Sequence, residues 1–118
     1  MAAKDVLGRR GEELAARYLE QQGLVILSRN WRCRHGEIDL VATDSSRLVV
    51  CEVKTRSSTR FGEPVEAVDW RKVSRIRLVT SAWLAAHQVR WVEVRFDVLA
   101  VVAEPGVPVT VQHYEAAF

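Results

Sequence analysis

Over the first 22 residues the apolar positions Leu7, Leu14, Ala15, Tyr18 and Leu19 recur at spacings of three, four and seven, the repeat of one helical face. This predicts a helix from about Asp5 to Gln22, with Gly23 as its left-handed stop. The short apolar run Leu24 to Leu27 predicts a first strand, followed by a polar link through Asn30. From Glu37 to Thr43 the positions Ile38, Leu40 and Ala42 alternate with Glu37, Asp39 and Val41, the period of a second strand. Leu48 to Lys54 is rich in β-branched residues, and Thr43-Asp44-Ser45-Ser46 has hairpin-turn composition, so the second and third strands should pair antiparallel. Thr55 to Pro64, rich in Ser, Thr and Arg, reads as an exposed loop. Asp69 then caps a second helix whose apolar positions Val73, Ile76, Val79, Trp83 and Ala86 keep the period to about His87. Trp91 to Val102 predicts a long strand with Val92, Val94, Phe96, Val98 and Ala100 on one face, and Pro105-Gly106 turns the chain into a last strand, Val107 to Val111.

Helix, three strands, helix and strand, with a crossover that makes the third and fourth strands parallel, specify an α/β fold: a mixed sheet between helices, in three layers. With 118 residues the chain is expected to form one domain over positions 1–118. At 48% hydrophobic and 27% charged residues it has a sufficient core and a globular balance.

Charge narrows the function classes. Seventeen Lys and Arg against fifteen Asp and Glu leave a net of +2, which excludes a histone-like polyanion binder, so any nucleic-acid site must be local. The start Met1-Ala2-Ala3-Lys4-Asp5 has no apolar stretch behind it and no run reaches membrane-span length, from which a cytoplasmic protein without a membrane partner is expected. In that compartment Cys33 and Cys51 are expected as free thiols.

The chemistry-bearing residues lie on the second and third strands. Glu37 and Asp39 are two apart and should share a strand face, as should Glu52 and Lys54 on the neighbouring strand. Glu52 and Lys54 interrupt the apolar run Val49, Val50, Cys51, Val53, where a buried charge needs a partner or a metal. Paired carboxylates on adjacent strands supply the oxygen ligands of a hard divalent cation such as Mg²⁺ or Mn²⁺. A lysine two residues from a ligand is within reach of a phosphate oxygen, a combination suited to phosphodiester hydrolysis.

Gly36-Glu37-Ile38-Asp39, twelve intervening residues and Glu52-Val53-Lys54, between one helix and a following helix and strand, resemble the PD-(D/E)XK nuclease superfamily with its restriction-endonuclease-like core. Within it the chain resembles most the YraN family of small bacterial proteins of uncharacterised function, itself similar to archaeal Holliday-junction resolvases. The resemblance extends over Gly8 to Glu12, Ala15, Asn30, the two strand motifs, Thr55-Arg56, Phe61-Gly62, Lys72 and Arg95-Phe96-Asp97-Val98. It implies Asp39 and Glu52 as metal ligands, the main-chain carbonyl of Val53 as a further ligand, and Lys54 as the catalytic lysine. It also implies Glu12 as a supporting acidic residue on the first helix, with Glu37 beside the site. Ile38 stands where the superfamily pattern has proline, a common variation.

A structural salt bridge is the alternative reading of Asp39, Glu52 and Lys54. Arg29, Trp31, Arg32 and Arg34 interleave an aromatic with arginines, the composition of a nucleic-acid surface, and equally of a solvated loop anchored by a packed Trp31. Arg56, Arg60, Arg71, Lys72, Arg75 and Arg77 form a second basic group, in which Arg71, Lys72 and Arg75 make a phosphate-contacting ridge or a charged solvent face. Trp70, Trp83 and Trp91 are expected to pack, and Arg95 with Asp97 to support the site from the parallel strand or to form an edge salt bridge. The function expected is a metal-dependent endonuclease or resolvase-like phosphodiester hydrolase on structured DNA, which is favoured over RNA; the alternative is a non-catalytic nucleic-acid-binding module that recruits a partner. Homodimerisation would suit two symmetric cuts.

Overall fold

The computed structural model describes residues 3–57 and 69–118. Seven elements follow in the order α1 (Ala3–Gln21), β1 (Val25–Cys33), β2 (Gly36–Thr43), β3 (Arg47–Arg56), α2 (Trp70–Ala86), β4 (Glu93–Val102) and β5 (Thr110–Tyr114). The five strands form one sheet in sequential order, with β3 and β4 parallel and the other pairs antiparallel. Each helix covers one face, so two cores lie back to back. Ala15, Ala16 and Leu19 of α1 pack on Leu40, Ala42, Val49, Cys51, Leu99 and Val101. Ile76, Val79 and Trp83 of α2 pack on Ile38, Val41, Leu48, Val50 and Phe96. The residues of β4 from Phe96 to Val102 are all buried because both of that strand's faces are covered.

The ends of the elements follow from local chemistry. Gly23, at φ +92°, closes α1, and the Leu24 N–H donates to Leu19 O at 3.0 Å. Asp69 caps α2 by accepting from the Lys72 N–H at 3.0 Å. In the β2–β3 turn the Asp44 carboxylate accepts from the N–H groups of Ser46 and Arg47, which hold it well below the usual carboxylate range. Both cysteines are free, as expected.

Four expectations are corrected. Strand β1 runs on through Arg29 to Cys33 where a polar link was expected; as an edge strand it needs only every second side chain to be half-buried, so its sequence is polar. The last strand begins at Thr110 instead of Val107, because Pro108 has no N–H to give to the ladder. Trp91, 96% exposed, lies before β4, which starts at Glu93, and Trp70, 73% exposed, does not pack; Trp83 does, donating through Nε1 to Ser28 Oγ at 2.9 Å. Finally, Ile38 does not share a face with Leu40 and Ala42: it belongs to the core under α2 and they to the core under α1.

This last departure has a local origin. Asn30 of β1 has φ +49°, a left-handed residue inside a strand, and it lies across from Asp39 in a register that pairs Arg29 with Leu40 and Trp31 with Ile38. On one side of Asn30, Arg29 reaches Glu13 of α1; on the other, Trp31 packs toward α2. Both strands therefore exchange faces at the Asn30–Asp39 position.

Candidate active site

Asp39 sits where the strands change face. The β2–β3 ladder is in register from Thr43 opposite Leu48 to Leu40 opposite Cys51. Beyond it the Val53 N–H donates to Asp39 Oδ2 at 2.8 Å, so a side-chain carboxylate takes the role of a ladder carbonyl. Burial pushes the Asp39 carboxyl up to about 7; the charges of Glu52, Glu12 and Glu37 add to the effect and the Val53 N–H opposes it.

Glu52 and Lys54 alternate with Cys51 and Val53 and so lie on the α2 face of β3. Glu52 Oε1 is 3.5 Å from Lys54 Nζ and 2.8 Å from Lys72 Nζ, and the Glu52 side chain is only 14% exposed. The N-terminal turn of α2 delivers Lys72, whose own N–H is tied to the Asp69 cap. Burial holds the Lys54 ammonium below the usual lysine value and the adjacent Lys72 lowers it further. For Lys72 burial acts in the same direction, but Glu52 and the other neighbours outweigh it and the net shift is upward. Two close-approach glycines bring the helices to this end of the sheet. A Cβ on Gly11 of α1 would overlap Thr55 Oγ1 of β3, and one on Gly36, at φ +139°, would come within 3.1 Å of Arg75 Cδ of α2.

Asp39, Glu52, Lys54 and Lys72 thus form one cluster, with Glu12 and Glu37 close enough to act on Asp39 electrostatically. Glu37 is itself held by Arg32 Nε at 3.1 Å. Glu12 lines a cavity of about 110 Å³ with Arg9, Glu13, Arg29, Asn30 and Leu40. Among the described residues no three His, Cys, Asp or Glu side chains are grouped to hold a metal ion. The oxygen donors still suit a hard cation: Asp39 is a half-buried carboxylate with no ion-pair contact among the described residues, beside a second carboxylate.

The other sequence candidates are dispersed. Trp31 packs against the core under α2, its ring 6.1 Å from that of His87, so the anchored reading of that stretch holds for it. Arg29 pairs with Glu13 at 2.7 Å and Arg34 Nε lies 3.4 Å from His35 Nε2. The Arg75 side chain passes over Gly36, Arg71 lies over the Trp70 ring and Arg77 over Phe96. Arg56 ends β3; Arg60 and Phe61-Gly62 lie outside the described residues.

Arg95 and Asp97 do not support the site. Asp97 is in register with Cys51 and so faces α1, opposite Glu52. It is fully buried and accepts from Arg95 twice, at 2.8 and 2.7 Å, from the Ala116 N–H at 3.0 Å and from His113 Nε2 at 2.6 Å. His113 Nδ1 meets Tyr18 OH at 3.2 Å, a pattern satisfied when the imidazole carries its proton on Nε2. The sequence reading missed this network and the part Lys72 plays at Glu52. Spacing could not signal either, since each depends on contacts between elements distant in the chain; charge and the resemblance had marked Lys72, but as one of a basic ridge and not as a partner of Glu52.

Comparison with known proteins finds relatives over the whole length of the chain. The chain is 56% identical to a UPF0102 protein of Frankia alni over all of its length and 98% of that relative's. It is 55% identical to a UPF0102 protein of Frankia casuarinae, covering the whole of both chains, and 52% identical to one from an Arthrobacter species over 96% of each. The model of uncharacterised protein family UPF0102 matches residues 11–101, which include every member of the Asp39 cluster. The chain belongs to the UPF0102 family.

Proposed function

We propose that this protein is a divalent-metal-dependent phosphodiesterase of the PD-(D/E)XK type, acting on structured DNA. The observation that carries the reading is the half-buried carboxylate pair Asp39 and Glu52 flanked by Lys54 and Lys72 at the end of the β2–β3 ladder. Asp39 and Glu52, with the Val53 carbonyl, would hold Mg²⁺ or Mn²⁺. The cation would supply polarisation of the phosphoryl group and a lowered pKa for the attacking water. Lys54 would stabilise charge on the scissile phosphate, and the half-buried setting would strengthen that interaction over its value in water. Among the described residues no base-reading element stands out, so selection would rest on nucleic-acid shape. Arg32, Arg34, Arg71 and Arg75, all exposed, are the side chains offered to the backbone.

The engagement of Glu52 by two lysines favours a second reading, a nucleic-acid-binding module that has the fold without the chemistry. The two separate in one series. Calorimetry and thermal shift with Mg²⁺ and Mn²⁺ on the wild type and Asp39→Asn come first, followed by branched, flapped and single-stranded DNA as substrates. The enzyme reading expects saturable metal binding that Asp39→Asn removes, and cleavage lost in that variant with DNA binding kept. Metal-independent DNA binding without cleavage, unchanged by Asp39→Asn, would give the second reading the lead.

A further inference from the structure

Lys72 occupies an unusual position for a residue on the exposed, basic side of a helix. Its ammonium lies closer to Glu52 Oε1, at 2.8 Å, than does Lys54 at 3.5 Å, and both contact the same oxygen. Asp39, the other carboxylate of the cluster, makes no lysine or arginine ion-pair contact among the described residues, although its charge acts on Lys72 from farther off. The contacts among the described residues are therefore uneven: two cations touch one carboxylate, while the neighbouring one accepts from the Val53 N–H. A divalent cation held by Asp39 and Glu52 would be a third positive charge beside the two ammoniums already at Glu52 Oε1, and the added repulsion falls most on Lys72, the nearer of the two. The Lys72 side chain is 28% exposed and flexible, so it can leave without disturbing the capped turn that carries its backbone.

We infer that Lys72 stands in for the divalent cation at Glu52: lysine and metal compete for Oε1, and the exchange releases the Lys72 ammonium toward a substrate phosphate. Lys72 is then a positioning residue that keeps Glu52 neutralised in the metal-free protein and joins the phosphate-binding set only when the site is loaded. The inference rests on the metal-site reading above.

Its test uses the metal alone. Mn²⁺ titrations by calorimetry on the full chain compare wild type, Asp39→Asn, Lys72→Met and Lys72→Gln, each first shown to be folded by circular dichroism in EDTA. Removing the competitor should tighten Mn²⁺ binding by roughly five- to tenfold, equivalent to about 1–1.4 kcal/mol. In DNA-binding titrations, Lys72→Met should lower the slope of log K against log salt by about 1 with metal present and leave it unchanged without metal. If Asp39→Asn abolishes Mn²⁺ binding while both Lys72 variants bind as wild type or more weakly, the competition is overturned and the metal site stands. If wild type and both Lys72 variants all fail to bind Mn²⁺, the metal site falls and the competition with it. Should neither variant fold, acylation of the wild-type Lys72 amine, followed by mass spectrometry, decides. A rate that rises saturably with Mg²⁺ supports the exchange and a flat rate refutes it.

Discussion

Replacing Asp97 by asparagine removes a charge from the most enclosed polar group of the sheet. Asp97 accepts four hydrogen bonds, two of them from the Arg95 guanidinium, which is itself only 14% exposed. In the variant Arg95 keeps its charge and loses its carboxylate, and the new amide turns one acceptor into a donor facing other donors. Breaking a buried pair from one side costs about 3–5 kcal/mol. For 118 residues the unfolding entropy is about 0.25 kcal/mol/K, so the melting temperature should fall by roughly 12–20 °C. The pH dependence has a definite sign. Burial pushes the Asp97 carboxyl up, but Arg95, His113 and the Ala116 N–H together outweigh burial and hold it below its ordinary value of 3.8. A carboxyl depressed in the folded state contributes stability above its unfolded pKa and loses it as pH falls through the folded one. Urea unfolding of wild type and Asp97→Asn at pH 7, 5, 4 and 3 should therefore show a gap that is full at pH 7 and 5 and narrows below about pH 4. A gap under about 1 kcal/mol at pH 7, or one that stays constant down to pH 3, would refute the assignment of Asp97 as a charged, paired group.

The close-approach glycines give two further expectations. Gly11→Ala gains up to about 1 kcal/mol of helix propensity but overlaps Thr55, at a cost of about 1–3 kcal/mol; thermal melts should show net destabilisation that Thr55→Ala partly relieves in a double-mutant cycle. Gly36→Ala forces a side chain onto a φ of +139° against Arg75 and should destabilise by about 1–3 kcal/mol. A variant as stable as wild type would mean that α2 does not sit over the Gly36 turn.

The fold was legible where one hydrophobic period ran through a whole element. Both helices and the strands β3 and β4 declared themselves in this way, because burial of one helical face or of both strand faces constrains residue type strongly. The edge strands were less legible: β1 is half-solvated and β5 follows a proline, so local composition resembled a loop in the first and set the boundary too early in the second. Within the site, Asp39, Glu52 and Lys54 were visible as charges in apolar strands. Lys72 was not separable from its basic neighbours by charge or spacing, since only the docking of α2 on the sheet turns it inward. The face exchange at Asn30 was hidden because Ile38, Leu40 and Ala42 are all apolar, and strict alternation fitted them equally well.

That exchange of faces also determines how β1 and β2 find each other. In a regular ladder a slip of one residue inverts every side chain, but a slip of two restores the pattern and leaves a competing alignment. Here polarity reverses partway along both strands, at Asn30 and Asp39. A two-residue slip would put the reversal of one strand opposite a regular stretch of the other, leaving Arg29 or Trp31 on the wrong side of the sheet. The hairpin consequently has one matching alignment instead of a series. Asp39, at the point of reversal, is a fiducial mark for strand pairing as well as a member of the carboxylate cluster.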